Sequence, residues 1–382
     1  MKIQDPSYPG LKEGISSHMH RRALLKHAAI LGLSVTAASS LSSRRNAVAR
    51  AQDEPMTIGV SYPTANNAFW TRYTDFMNQV AEGLGVELIL VDANNDEEKQ
   101  VADIESLISQ GVDGLVVTPQ STAIAAQLLR TAEDAGVPVM FTDRFPGIEP
   151  EEYEGESYVG FIGPNDEQAG YDIATHLIVN EGRGKLVGLG GLPGSSVAEG
   201  RRAGLERAVE EHGATLVQYE GIGETREVGL ATMESILSAQ PSGAIDAVWG
   251  YNDELALGAL RAAQNAGRAE ELAIGGMDLN EDAVNAVKAG DLAFSTGGHW
   301  LQGGFGLITL YDALQGVEPA ERIIKLDLLG VDKTNVDQFL EEFVNNPPSY
   351  DILNLSRANN PDAATYFEIA LSGDAATATP TS

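Results

Sequence analysis

Strand and helix patterns alternate along most of this chain, and this alternation restricts it to the α/β class. Short apolar runs at residues 57–61, 87–91 and 114–118 indicate buried strands, and each precedes a stretch with helical apolar spacing. Because a long helix separates consecutive strands, we expect parallel sheets with right-handed connections. The pattern restarts after the acidic loop at residues 149–156, so the sequence predicts two similar α/β halves.

The most informative single segment is residues 247–260, where a short apolar run stops at Asn252 and Asp253 and a helical pattern begins. The helical pattern ends at Gly267, a residue typical of helix C-termini. We expect Asp253 to cap this helix, which leaves the Asn252 amide free at the carboxyl end of the strand. Ligands bind at that edge in open α/β sheets, so the segment predicts a small-molecule site.

Residues 1–51 have the pattern of an export signal. Arg21 and Arg22 precede an apolar stretch at residues 28–41 that is short and rich in small residues, and Ala49 and Ala51 form a small-x-small cleavage site. The segment resembles the twin-arginine signal, which implies a periplasmic or other extracytoplasmic location. The alternative is a cytosolic protein with a basic arm.

Composition excludes several classes of function. The chain has no cysteine, which excludes disulfides, thiolate metal sites and a lipid-modified cysteine, so we expect an untethered exported protein. Its formal net charge is −30, from 25 basic and 55 acidic residues, and such a field repels nucleic acid. The acidity favours solubility or adaptation to high salt, and the sequence does not separate the two.

Polar side chains collect where the predicted strands end. Amides, carboxylates and guanidinium groups complement hydroxyls, which both donate and accept hydrogen bonds, and aromatic rings cover the apolar face of a sugar. The sequence therefore predicts a sugar or polyol pocket. Its candidate residues are Asn67, Phe69, Trp70, Asp143, Arg144, Asn165, Arg201, Asn252 and Asp278.

Several of these residues also have a plainer interpretation. Asn67 and Asp278 are alternatively helix caps, Phe69 is alternatively a core residue, and Asp143 and Arg144 are alternatively a local ion pair.

The chain resembles the type I periplasmic sugar-binding proteins, the ribose- and galactose-binding class. The resemblance covers about residues 56–328 and is carried by residues 66–70, 142–144, 194–201, 252–260 and 275–278. It implies two Rossmann-like lobes, each a parallel sheet flanked by helices, joined by three hinge crossings. It also implies a monomeric receptor that binds a sugar without a cofactor or metal and docks on an ABC importer permease driven by a separate ATPase.

The resemblance assigns hydrogen bonds with the sugar to the polar candidates, stacking to Phe69 and Trp70, and a place near the ligand or hinge to Asn165. Two positions depart from the ribose type. Glu224 stands where a second-lobe aromatic ring is expected, and Gly298 followed by His299 stands where a glutamine is expected. We therefore add Glu224 and His299 to the candidates and expect a ligand that differs from ribose.

The predicted boundaries follow from the resemblance and from the element pattern. Residues 52–164 and about 299–328 form the N-terminal lobe, and residues 165–298 and about 329–345 form the C-terminal lobe. Residues 346–370 are an extension and residues 371–382 are expected to be disordered. Hinges are expected near residues 163–166, 296–300 and 327–330.

The sequence also bears on several rival functions. A dinucleotide enzyme is disfavoured because the glycine spacing at residues 188–194 is wrong. A zinc hydrolase is disfavoured because the three histidines after residue 51 lack metal-ligand spacing. A sugar-acting enzyme with paired carboxylates stays open, although the amides and arginines at the strand ends favour recognition. A sugar-responsive transcription regulator lacks a basic helix-turn-helix before the first strand. A receptor for chemotaxis or a sensor kinase remains open.

Overall fold

We describe the protein from a computed structural model that covers residues 55–373. Residues 56–373 form one compact unit, whereas the predicted signal at residues 1–51 lies outside the described residues. No helix within residues 55–373 is both long enough and apolar enough to cross a bilayer.

Two six-stranded sheets form the framework of the molecule. The first contains β1 (Thr57–Tyr62), β2 (Glu87–Asp92), β3 (Gly114–Val117), β4 (Val139–Thr142), β5 (Tyr158–Pro164) and β11 (Ile323–Leu326). The second contains β6 (Lys185–Gly190), β7 (Thr215–Gly221), β8 (Ala247–Gly250), β9 (Ala273–Met277), β10 (Phe294–Gly297) and β12 (Leu329–Asp332). Their orders are β11-β5-β4-β3-β1-β2 and β12-β10-β9-β8-β6-β7.

Helices lie between the strands as the alternation predicts. The α-helices are α1 (Ala68–Leu84), α2 (Glu97–Gln110), α3 (Thr122–Ala135), α4 (Asp166–Thr175), α5 (Ser196–Glu211), α6 (Arg226–Ala239), α7 (Asp253–Asn265), α8 (Glu281–Ala289), α9 (Gln302–Leu314), α10 (Val336–Phe339) and α11 (Ile352–Leu355). Short 3₁₀ segments lie at Ala269–Glu271 and His299–Leu301, and π segments at His176–Asn180 and Leu340–Asn345. We call the two sheets with their helices the first and second lobes.

Helices α1 and α9 pack closely against each other in the first lobe. Tyr73 and Phe76 lie on the buried face of α1, and Gly303 and Gly304 face them from α9. A Cβ atom at Gly303 would lie 2.6 Å from the Tyr73 ring. The glycine pair therefore lets two helices approach closely enough to cover one face of the sheet.

The prediction that both sheets are wholly parallel is wrong for one strand. β12 pairs antiparallel with β10, with Gly297 opposite Leu329. The apolar run at residues 323–329 has the pattern of one strand, but the structure divides it between β11 of the first lobe and β12 of the second. The chain leaves the second lobe at the end of β10 and re-enters it at the start of β12, so the two strands run in opposite directions where they pair.

β10 also begins later than its sequence pattern indicates, since residues 291–295 have the pattern of a strand. The backbone N–H groups of Asp291 and Leu292 both donate to the Ala286 carbonyl at the end of α8. These residues therefore close the helix, and the strand starts later, at Phe294.

The segment after the second lobe packs on the first. The Ile352 side chain fills the space beside Gly83, and the Asp312 carboxylate accepts hydrogen bonds from Ser356 and from the backbone at Arg357. Disorder was predicted from residue 371, yet Leu371 is buried. The rest of that predicted tail, residues 374–382, lies outside the described residues.

We expect Gly204→Ala to destabilise the protein. By helix propensity alone, alanine would stabilise α5 by roughly 0.5–1 kcal/mol relative to glycine. An added Cβ on α5 would overlap the Glu167 carbonyl of α4, and such overpacking costs about 1–3 kcal/mol. Urea denaturation measures the change. Gly184→Ala is the matched control, since nothing lies within 4 Å of its added Cβ, and equal stability of the two variants would contradict the expectation.

Candidate ligand-binding cleft

Aromatic rings at the N-terminus of α1 line one side of the cleft between the lobes. The Asn67 side chain caps α1 by accepting from the Phe69 backbone N–H at 2.8 Å, so its plainer interpretation as a cap holds for its oxygen. Phe69 stacks on His299 with ring centroids 4.5 Å apart. Trp70 meets Phe69 edge-on at 5.0 Å. Both α1 rings are buried, so they belong to the core as well as to the cleft wall.

Asp143 and Arg144 follow β4 and are almost fully buried. The Gln302 amide donates to Asp143 at 2.6 Å, whereas the Arg144 guanidinium lies 3.9 Å from that carboxylate. Arg144 instead donates to the Gln120 carbonyl at 2.9 Å and to Glu224 of the second lobe at 3.2 Å. The two residues are therefore not merely a local ion pair, because each has its main partner elsewhere.

Arg201 lies on α5 of the second lobe and is buried. Its guanidinium donates to Asp166 at 2.9 Å and to the Tyr251 carbonyl at 2.8 Å, and it lies over the Tyr251 ring at 4.5 Å. Burial raises the pKa of Asp166 to about 7, while Arg201 acts in the opposite sense. The arginine is thus held in one orientation by a carboxylate, a carbonyl and an aromatic face.

Asn252, not Asp253, caps α7, which corrects the prediction. The Asn252 oxygen accepts from the Leu255 N–H at 2.9 Å, and its amide donates to the Glu224 carbonyl at 3.1 Å. Asp253 is turned inward and accepts from the Asn280 N–H at 2.8 Å. Both residue types cap helices well. Asp253 is not the cap because its carboxylate is held by the Asn280 N–H and the Ser295 hydroxyl.

Asp278 is buried with a backbone φ of 123°. It does not cap α8, whose N-cap is Asn280, and its carboxylate lies 3.7 Å from His299 of the other lobe. Burial raises the pKa of Asp278 well above its usual value, and Arg201 opposes that rise. Burial also lowers the pKa of His299 well below its usual value, so the ring is neutral near pH 7.

Asn165 lies at a crossing between the lobes. It caps α4 by accepting from the Gln168 N–H at 3.4 Å. Its amide lies 3.3 Å from Asp327 at the third crossing. These contacts connect two crossings and assign Asn165 no contact with the other candidates.

Electrostatic interactions link the remaining polar candidates into one cluster. Burial raises the pKa of Asp143, Arg144 and Arg201 lower it, and Glu224 raises it. Arg201 lowers the pKa of Asp278, and the Asp143 and Glu224 carboxylates raise it. Side chains predicted from both lobes therefore converge in a single buried region.

The two lobes touch directly across the cleft. Besides the contact between Arg144 and Glu224, Arg72 of α1 donates to the Leu279 carbonyl of the second lobe at 2.9 Å. The Arg72 guanidinium also stacks on Trp300 at 3.3 Å. These contacts place the described molecule in a closed arrangement.

Three residues of the site were missed from the sequence: Asp166, Tyr251 and Gln302. Asp166 and Tyr251 are immediate neighbours of the candidates Asn165 and Asn252, so the strand ends already pointed to them. The available signal for Gln302 was a polar residue opening the largely apolar helix α9. Periodicity alone does not distinguish such a residue from an exposed helix start.

Buried polar atoms in this region lack protein partners. Within residues 55–373, these atoms include Arg144 Nε, His299 Nδ1 and Gln302 Oε1. An unpaired buried donor or acceptor costs about 1–3 kcal/mol, so each requires a ligand or a water. Over the same residues, no group of three or more His, Asp or Glu side chains is placed to hold a metal ion.

The family model described as the periplasmic binding protein domain matches residues 58–317. The chain belongs to the periplasmic binding protein family. Its type I architecture, with two helix-flanked sheets, agrees with the fold that the sequence resemblance implied.

Relatives in this family carry names of sugar and polyol receptors. The ribose import binding protein of Bacillus subtilis (strain 168) is 34% identical and aligns with 61% of this chain and 72% of its own length. The xylitol-binding protein of Mycolicibacterium smegmatis is 28% identical, with 83% and 87% covered. An ABC transporter solute-binding protein from Bacillus halodurans C-125, solved with bound myo-inositol, is 27% identical with a TM-score of 0.68, covering 76% of this chain and 98% of that chain.

We expect Asn252→Ala to lower the free energy of unfolding by about 1 kcal/mol, because α7 loses its cap. Asn252→Ser retains a capping oxygen and should recover most of that loss. Neither alanine nor serine can replace the hydrogen bond from the Asn252 amide to the Glu224 carbonyl. We therefore expect both variants to bind a ligand more weakly than the wild type. Urea denaturation together with calorimetry separates the two effects, and a serine variant as unstable as the alanine variant would contradict this account.

Proposed function

We propose that this protein is an extracytoplasmic receptor that captures a monosaccharide or related polyol between its lobes and delivers it, unaltered, to an ABC-type permease. The observation that carries this proposal is the buried cluster at the cleft, where carboxylates, guanidinium groups and an imidazole from two lobes meet. Within residues 55–373, Arg144 Nε, His299 Nδ1 and Gln302 Oε1 of this cluster have no protein partner. A run of vicinal hydroxyls is a ligand that both donates to and accepts from such a set.

The chemistry of the cluster favours neutral hydroxyls over charged ligands. Asp143 and Asp278 accept hydrogen bonds, Arg144 donates them, and a hydroxyl can do both at once. Burial already raises the pKa of Asp143 and of Asp278, and Glu224 adds to both rises, so the negative charge of a sugar acid would be opposed in the same buried site. We therefore expect sugar acids to be rejected.

Glu224 supports a ligand that differs from ribose. It stands where the ribose type has an aromatic ring, and it contacts Arg144 and the Tyr251 hydroxyl, each at 3.2 Å. The lost ring reduces stacking, and the gained carboxylate adds acceptors. Relatives named for ribose and xylitol, and one solved with myo-inositol, have ligands whose common feature is successive hydroxyls.

The cellular role follows from the family and from the N-terminal sequence. Residues 1–51 would direct twin-arginine export, and the mature protein would act as a free monomer. A separate ATPase would drive import through the permease. The relatives are binding proteins, which supports a receptor without catalytic activity.

Capture would proceed by closure of the lobes on the ligand. A ligand favours closure only through better affinity for the closed form, so contacts from both lobes are required. The cluster meets that requirement, because Asp143 and Arg144 belong to the first lobe and Arg201 and Asp278 to the second. The permease would then distinguish loaded from empty receptor by the closed lobe surfaces.

A thermal-shift screen over pentoses, hexoses, furanoses, inositols and linear polyols tests the proposal. At 100 times its Kd a ligand stabilises the folded protein by about 2.7 kcal/mol. For a protein of this size that raises the Tm by about 5 °C. Sugar acids serve as negative controls within the same plate.

Asp143→Ala should abolish most of the rise in Tm produced by the best ligand. The variant lacks the carboxylate that accepts from a ligand hydroxyl, and the unpaired hydroxyl weakens binding by on the order of 10²-fold. Asp134→Ala is the matched control, since that carboxylate is exposed at the end of α3 and its loss changes the net charge equally. The absence of any shifting sugar or polyol would overturn the proposed function.

A further inference from the structure

We propose that Gln302 is a positioning residue for Asp143 and contributes its own acceptor to the ligand. This inference rests on the proposed function and adds a residue at which discrimination between ligands takes place. It depends on one short hydrogen bond, one unpartnered oxygen and the strained backbone at Asp143.

Gln302 is fully buried at the first position of α9. Its Nε2 donates to Asp143 Oδ1 at 2.6 Å. Within residues 55–373 this is the only hydrogen bond to the Asp143 carboxylate, because Arg144 Nε lies 3.9 Å away. The orientation of the Asp143 carboxylate therefore depends on Gln302.

The Asp143 backbone lies in the left-handed region, with φ of 63°. Gln302 holds its carboxylate by a hydrogen bond from a separate element. The Asp143 N–H donates to the Ile162 carbonyl at 2.9 Å, which holds the backbone but leaves the side chain free. Gln302 supplies the second constraint from a different element, α9. A carboxylate fixed at both ends presents its remaining lone pairs in one direction.

The same hydrogen bond fixes the direction of the Gln302 oxygen. Because the amide nitrogen faces Asp143, Oε1 must face away from it, and this atom is buried without a partner. His299 Nδ1 and Arg144 Nε are unpartnered in the same way. A ligand hydroxyl that donates to Gln302 and lies beside Asp143 would satisfy the glutamine oxygen.

Gln302→Glu tests both parts of the inference because it is isosteric and replaces the donor with a carboxylate. Two carboxylates at this distance retain a shared proton, so the pKa of the pair in the folded state is raised above its unfolded value. The stabilising contribution of that protonated pair is lost as the pH rises above about 4–5. We expect the Tm of the variant to fall further below that of the wild type from pH 5 to pH 8, without any ligand present.

Ligand affinity measured by calorimetry provides the second readout. We expect Gln302→Glu to bind about 10- to 100-fold more weakly than the wild type at pH 8, and to recover most of that loss at pH 5. Gln302→Met, which has similar length and no polar group, should bind weakly at both pH values. A pH-independent Tm difference, or wild-type affinity in the methionine variant, would overturn the inference. If the Tm result appears and no sugar binds the wild type, the proposed function fails instead.

A second observation, independent of Gln302, concerns residues 346–373, which we call the C-terminal strap. We infer that the strap ties the two lobes together at the hinge and favours the closed arrangement. It lies outside the matched family region, which ends at residue 317.

The strap is anchored firmly on the first lobe. Tyr350 meets Phe76 of α1 at 5.4 Å, and Phe367 meets Phe305 of α9 at 5.0 Å. The Asp312 carboxylate accepts from the Ser356 hydroxyl at 2.6 Å. Aromatic packing and a buried carboxylate thus hold this part of the strap on the first lobe.

The end of the strap then passes over two of the three crossings. The Ile369 side chain lies against Gly298 after β10, and the Glu368 carboxylate accepts from the Asp327 N–H at 2.9 Å. Beyond them, the Ser372 N–H donates to Glu342 of the second lobe at 3.0 Å. The chain thus passes from the second lobe to the first at the start of the strap and returns to the second lobe at Ser372. These two passages are additional to the three crossings that follow β5, β10 and β11.

Opening of the lobes must move the crossings relative to the strap, so these contacts oppose opening. The double variant Glu368→Ala/Ile369→Ala in the full chain removes the hinge contacts and retains the anchor. We expect a larger radius of gyration by X-ray scattering without ligand and an unchanged radius with saturating ligand. Ligand affinity should fall about tenfold, because a smaller fraction of the free protein is closed.

Glu321→Ala is the matched control, since Glu321 of the first lobe accepts a hydrogen bond from Tyr366 of the strap at 3.5 Å, away from the hinge contacts of Glu368 and Ile369. It should change neither radius nor affinity. A second variant, Gln338→Ala/Glu342→Ala, releases the strap from the second lobe and should shift the ligand-free radius in the same direction. An unchanged ligand-free radius in both double variants would overturn the role of the strap.

Discussion

Pairing of buried charges across facing strand ends is the constraint on which the site depends. Parallel strands end at one edge of each sheet. These edges meet between the lobes, so residues that follow β4 in the first sheet lie near residues that follow β8 and β9 in the second. Their carboxylates and guanidinium groups are removed from water, which is costly unless each is paired or hydrogen-bonded. The contacts of Arg201 with Asp166 and of Arg144 with Glu224 satisfy that requirement on the two sides of the cleft.

The pairing is incomplete, and its incompleteness is informative. Arg144, His299 and Gln302 each leave one buried polar atom without a protein partner in the described part of the chain. Asp278 keeps a raised pKa because burial opposes its charge more strongly than Arg201 supports it. A ligand rich in hydroxyls would complete these hydrogen bonds in the closed form, so ligand capture and lobe closure depend on the same unsatisfied groups.

The sequence was a good guide to the fold and to most of the polar residues that meet, with Asn165 as an exception, and a poorer guide to their hydrogen bonds. Alternating apolar patterns predicted both halves because strand and helix periods differ clearly. The antiparallel strand β12 was missed because its direction is set by the crossing rather than by composition. Asn252 and Asp253 are equally good caps by type, so the cap was predicted at Asp253 and found at Asn252. Gln302 carried no signal beyond its polarity.

By itself the sequence determined the α/β class, the absence of cysteine chemistry and the set of polar groups available at the strand ends. Those properties follow from local periodicity and side-chain chemistry, which need no third dimension. The tertiary structure decided which groups are paired, which remain unsatisfied and how residues 346–373 bridge the lobes. Hydrogen bonds such as that between Gln302 and Asp143 join elements distant along the chain, and their direction is settled only when packing excludes water around them.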